Sequence, residues 1–261
     1  MSTYIFRVFL FLLVMGAAGP AKSQVADAKF DLYILMGQSN MAGRGLITPE
    51  IAAEHSDHVY VYTKDQHWVV AKHPLHFDKP LVAGVGPGLT FGIVMANAYN
   101  LKTGLIPCAV GGTPIAHWEP GTFDTRSNTH PYDDAIDRIK AAMKYGTIKG
   151  VIWHQGEGDS KPDNAKAYLE KLAVLIHRIR EIVGNPNLPF VSGELGRYRD
   201  SYQQINKVLE QLPALVPYTA VASSEGLVDK GDSTHFDGHS AQEMGRRMAV
   251  QMLKLQAKKG R

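Results

Sequence analysis

Apolar residues in this chain fall into short runs separated by longer stretches of mixed character. Six runs, over residues 32–36, 59–62, 105–110, 150–154, 189–192 and 218–222, have the length and composition of strands. Short apolar runs bounded by Gly, Pro or polar residues suit strands buried on both faces. The stretches between them carry helical spacing. The clearest covers 165–183, where Tyr168, Leu169, Leu172, Leu175, Ile176, Ile179 and Val183 recur at intervals of three and four. Pro162 fits the opening turn of that helix and Gly184 its end. Helices are also predicted over 90–99, 133–143, 201–212 and 240–255. In the last, Ala241, Met244, Met248 and Met252 share one face, which reads as core packing and not as a cofactor site.

Strands that alternate with helices predict an α/β fold with a mostly parallel sheet and helices on both faces. Ligands in such folds collect at the carboxyl ends of the strands. Polar and glycine-rich motifs stand at those ends: Gly37-Gln38-Ser39-Asn40, Gly111-Gly112-Thr113 and His154-Gln155-Gly156-Glu157. A fourth motif, Asp232-Ser233-Thr234-His235, precedes the last helix. No repeat, linker or low-complexity tract divides the chain, so residues 24–261 are expected to form one domain.

Residues 1–23 read differently. Arg7 leads into an apolar run over 8–15, then small residues and Ala21-Lys22-Ser23, the pattern of a cleaved export signal. The run is short for a membrane-spanning helix of ~20 residues. Export to the periplasm or the medium is therefore expected, with no membrane association after cleavage near Ser23. Loss of Arg7 and Lys22, with no acid, lowers the net charge from +3 to +1. That balance argues against a nucleic-acid partner, which needs a basic face. Cys108 is the single cysteine and lies in an apolar run, so a buried, unreactive thiol is expected.

The motifs carry a candidate chemistry. A serine hydroxyl is a weak nucleophile and needs an adjacent base. Ser39, on a glycine turn after a strand, is the candidate nucleophile; His235 is the candidate base. Asp232 would hold the imidazole and stabilise its charged form. An attacked carbonyl also needs preset hydrogen-bond donors. The Ser39 N–H, a backbone N–H of Gly111 or Gly112, and the Gln155 amide are candidates. The sequence does not decide between the two glycines. Glu157 has two readings, support of the Gln155 loop or an acidic group for the base. Trp118 has two as well, stacking on a sugar ring or plugging the core.

The ordered set GQSNMAGRG, GVGPGLTFG, CAVGGTPIAHW, WHQGEGD and DSTHFD resembles carbohydrate esterase family 6. That family belongs to the SGNH-hydrolase superfamily and includes acetylxylan esterases and relatives of sialate O-acetylesterases. The resemblance runs from Asp31 to the final helix. GQSN replaces the superfamily's Gly-Asp-Ser-Leu block, and a glutamine stands where its third block has asparagine; the resembled family shares both departures. The resemblance implies a flavodoxin-like three-layer α/β/α sandwich and deacetylation of carbohydrates through an acetyl-enzyme, without a cofactor. It assigns Ser39, Asp232 and His235 to catalysis and Ser39, Gly112 and Gln155 to the oxyanion hole.

Three rival readings are weaker. His235-Phe-Asp-Gly-His239 has the spacing of a metal-binding helix, but Gly238 interrupts it and the adjoining glutamate of metalloproteases is missing. An α/β-hydrolase elbow requires glycine at position 41, where this chain has methionine. A non-catalytic sugar-binding protein would have no use for a nucleophile, a base, an acid and oxyanion donors together.

Overall fold

A computed structural model describes residues 29–259; the expected export segment lies outside them. Seven strands form one sheet: β1 (Phe30–Gly37), β2 (Val59–Tyr62), β3 (Trp68–Val70), β4 (Thr103–Pro107), β5 (Gly146–His154), β6 (Phe190–Gly193) and β7 (Thr219–Ala222). Their order is β3-β2-β4-β1-β5-β6-β7. Every neighbouring pair is parallel except β2 and β3. The helices are α1 (Ser39–Ala42), α2 (Pro49–Ala52), α3 (Gly88–Tyr99), α4 (Pro131–Ala142), α5 (Pro162–Val183), α6 (Gln203–Leu209), α7 (Leu212–Leu215) and α8 (Gly238–Lys259).

β1 is the centre of the sheet because both of its faces are apolar. Alternate side chains of a strand point to opposite faces. Phe30, Leu32, Ile34 and Met36 enter a core shared with Ile139 of α4 and Tyr168 and Leu172 of α5. Tyr33 and Leu35 enter the second core with Phe91 of α3 and Met244, Met248 and Met252 of α8. The methionine face of α8 is thus packing, as its spacing predicts. Cys108 is buried in the first core, and burial pushes its thiol up to about 11.

Two elements depart from the pattern. β3 was not predicted; it is a three-residue antiparallel edge with Val69 46% exposed, too short and too open to leave a period. The helix expected over 201–212 is instead a 3-10 turn (Asp200–Tyr202) followed by α6 and α7. Pro213 has no N–H and its ring would collide with the carbonyl four residues back, so α6 ends at Leu209 and α7 restarts with Pro213 in its first turn.

The chain steps from β1 to β2, returns to β4 beside β1, then crosses to β5 on the other side. That reversal opens a crevice at the carboxyl ends of β1, β4 and β5. Three backbone bonds hold these ends together: Gln38 N–H to the His154 carbonyl (3.0 Å), Cys108 N–H to Leu35 (2.8 Å) and Val110 N–H to Gly37 (3.0 Å). Gly37 makes the approach possible. It has φ 133°, and a Cβ there would lie 2.2 Å from the His154 carbonyl oxygen. Gly37→Ala should therefore destabilise the fold by about 3 kcal/mol or more, seen as a lower urea midpoint at unchanged slope.

Candidate active site

β1 runs through Gly37 and Gln38 into α1, whose first residue is Ser39. The Ser39 side chain is buried at the floor of the crevice, with Oγ 2.9 Å from Nε2 of His235. Nδ1 of His235 lies 2.7 Å from Oδ2 of Asp232. The carboxylate therefore fixes the tautomer: Nδ1 carries the proton and Nε2 faces the serine hydroxyl as an acceptor. Asp232 also folds its own loop, because Oδ1 accepts the N–H groups of Thr234 (3.0 Å) and His235 (2.8 Å). Burial works against ionisation of Asp232, but the bonds from His235 and Thr234 outweigh it and hold the carboxyl at about 2.

The segment after β4 brings its glycine turn to the same place. Gly111 donates its N–H to Oδ2 of Asp78 at 2.8 Å, and Arg44 donates Nη2 to the same oxygen at 2.8 Å. This ion pair is buried, with 5% and 3% of the two side chains exposed. Burial alone would raise the Asp78 carboxyl; the charges of Arg44 and His76 and the Gly111 bond hold it below its ordinary value. Gly112, at φ 84°, is exposed, and its N–H has no partner among the described residues. Of the two glycines, Gly111 is thus engaged by Asp78, whereas Gly112 is exposed with its N–H free among the described residues. The Ser39 N–H, in the first turn of α1, also lacks an acceptor among the described residues.

Gln155 and Trp118 are both buried. Gln155 is fully buried, and its Nε2 donates to Oδ2 of Asp159 (2.5 Å), Oε1 of Gln38 (3.2 Å) and the Thr113 carbonyl (3.2 Å). A primary amide has two hydrogens, and both are occupied. Through these bonds the side chain braces the loops that follow β1, β4 and β5. Trp118 is 1% exposed and packs edge-on against Trp153 at 5.3 Å, so it plugs the core and cannot stack on a sugar. Glu157 does not touch His235; Oε1 accepts from Nδ2 of Asn40 at 2.5 Å. Asp232 is the carboxylate on the imidazole.

The sequence reading did not single out Arg44, Asp78 or Asn40. Arg44 had one signal, a cation inside an apolar, glycine-rich block. Its partner lies 34 residues further on and leaves no local trace. Among the described residues, no group of three or more His, Cys, Asp or Glu is arranged around a common metal position.

Residues 29–254 match the family model described as carbohydrate esterase, sialic acid-specific acetylesterase. The chain belongs to this family. A probable carbohydrate esterase of Arabidopsis thaliana is 31% identical over 243 residues, which cover 84% of this chain and 88% of the plant protein. The crystal structure of an Arabidopsis thaliana protein superposes with a TM-score of 0.76 at 29% identity, covering 85% of this chain and 97% of that one. NanS shares the fold of this acetylesterase family member, with a TM-score of 0.69 at 15% identity over 90% of this chain and 99% of its own. A carbohydrate acetylesterase from Xanthomonas citri shares it too, at 0.68 and 20%, over 87% of this chain and 57% of that one.

The Arg44–Asp78 pair makes a specific demand on this family member. Asp78→Ala leaves a buried guanidinium unpaired and should cost about 3–5 kcal/mol of stability, measured by urea unfolding.

Proposed function

We propose that this protein is a serine esterase that removes O-acetyl groups from carbohydrates through an acetyl-enzyme intermediate. The chain from Ser39 Oγ through His235 to Asp232, at 2.9 and 2.7 Å, carries the reading. In the first step Nε2 of His235 takes the Ser39 proton as Oγ bonds to the acetyl carbonyl carbon. The carbonyl oxygen becomes an oxyanion facing the N–H groups of Ser39 and Gly112. One such donor is worth roughly 10²–10³ in rate. Collapse breaks the bond to the sugar oxygen, which leaves with the proton from Nε2. Water then attacks the acetyl-serine with His235 again as base, and acetate departs. Asp232 remains ionised throughout and balances the imidazolium.

Acetylated xylan and acetylated sialic acid are the two substrate classes in view. Cations at the rim favour an acidic sugar. Nζ of Lys79 bonds the Gly111 carbonyl at 2.9 Å, Arg126 bonds the Gly112 carbonyl, and Nζ of Lys230 lies 3.7 Å from Asp232. Lys79 has no carboxylate partner among the described residues. The leader-like segment over 1–23 supports export, which would bring the enzyme to glycans outside the cytoplasm.

Ser39→Ala and His235→Ala should each lower acetate release from an aryl acetate by about 10⁴-fold or more, with an unchanged circular dichroism spectrum. Turnover near wild type in the serine variant would overturn the mechanism. Acetylated sialic acid should be turned over with a higher kcat/KM than acetylated xylo-oligosaccharide, and added salt should narrow the gap. Equal values at every salt concentration would remove the argument from the cationic rim.

A further inference from the structure

We propose that Asn40 and Glu157 form a positioning pair behind the reacting groups, in which the Asn40 amide clamps the backbone on both sides of His235 and the Glu157 carboxylate sets the strength of that clamp. The inference rests on the serine-esterase reading above and adds a layer to it. Asn40 follows Ser39 on α1 and is 4% exposed. Its Nδ2 donates to the Thr234 carbonyl at 3.0 Å, and its Oδ1 accepts the Phe236 N–H at 3.0 Å. These are the residues on either side of His235, so one amide holds the loop as a neighbouring strand would. The assignment of its oxygen and nitrogen is fixed, because a flipped amide would set two donors against each other. The distance between Ser39 and His235 thus depends on the side chain next to Ser39. A displacement of ~1 Å in such a pair costs about 10²-fold in rate.

The remaining hydrogen of Nδ2 goes to Oε1 of Glu157 at 2.5 Å. The Glu157 side chain is 4% exposed, its Oε2 has no hydrogen-bond partner, and no Lys or Arg is paired with it among the described residues. The titratable groups around it are His154 on β5, Asp159 on its own turn, Tyr168 on α5, and Tyr198. None supplies a positive charge. His154 donates Nε2 to the Glu194 carbonyl at 3.0 Å, so Nδ1 faces Glu157 as a bare lone pair at 3.9 Å. Burial holds that imidazole neutral, pushed down to about 4. Two buried acceptors with no hydrogen between them favour uptake of one proton. Burial pushes the Glu157 carboxyl up to about 7 against the opposing Asn40 bond.

Ionised Glu157 grips Asn40 through a charge-assisted bond, roughly twice as strong as a neutral one. Protonation loosens the clamp. The ratio of wild-type to Glu157→Gln kcat/KM for an aryl acetate, in which every other titrating group cancels, should therefore be largest where Glu157 is ionised and fall toward one on the acid side. Glu157→Gln should lower kcat about tenfold at pH 8, with KM unchanged, and by less at pH 5.5, where the wild type is itself protonated. Asn40→Ala should cost about 10²-fold, and adding Glu157→Gln to it should cost nothing more. A wild-type to Glu157→Gln ratio that stays constant with pH, or multiplied losses in the double variant, would each overturn the pair. If Glu157→Gln does not fold, Asn40→Ala decides, and a loss in kcat below about tenfold overturns the clamp. An inactive Ser39→Ala alongside any of those results would sink the clamp and leave the esterase reading standing.

Discussion

The contact on which the site depends is the close backbone approach at the ends of β1 and β5, where Gln38 donates its N–H to the His154 carbonyl. Only a residue without a Cβ fits at Gly37, and its positive φ turns the chain out of the sheet into α1. That turn places Ser39 over the crevice. The Gly37 carbonyl receives Val110 N–H on the other side, which brings the Gly111-Gly112 turn alongside. One glycine thus joins three strand ends, and the Ser39 turn and the Gly111-Gly112 turn inherit their spacing from backbone hydrogen bonds.

Three carboxylates near the crevice show how surroundings set a charge. Asp78 is buried beside Arg44 and stays ionised, so it holds the Gly111 N–H firmly. Asp232 is half open to solvent and draws on N–H donors from its own loop. Glu157 is buried with an amide as its hydrogen-bond donor and a neutral imidazole opposite. Desolvation opposes ionisation in all three; a neighbouring cation or several donors overcome it for the first two. For Glu157 no cation is near, and the Asn40 bond with the backbone N–H groups of its own turn does not outweigh burial.

Much of the architecture was legible along the chain. The apolar runs located six of the seven strands, because central parallel strands are covered on both faces and need continuous apolar residues. The long helices α5 and α8 were legible for the same reason, through the period of their buried faces. β3 and the break between α6 and α7 were not. The first is an exposed edge, and the second follows from one proline acting on the carbonyl of Leu209.

The serine turn, the Asp-x-x-His spacing and the order of motifs are local, and the sequence by itself determined them. Direction and partnership are not local. Gln155 and Trp118 had residue types suited to an oxyanion or a sugar, and the tertiary structure turned both inward, to a buried amide network and to Trp153. The engagement of Gly111 by Asp78, the Arg44–Asp78 pair and the bonds of Asn40 to Thr234 and Phe236 also arose only on folding. Each depends on segments far apart in the chain meeting at strand ends, and hydrogen-bond capacity is assigned by what arrives there. Residue type fixes how many bonds a side chain can make; the packing of the sheet decides with whom.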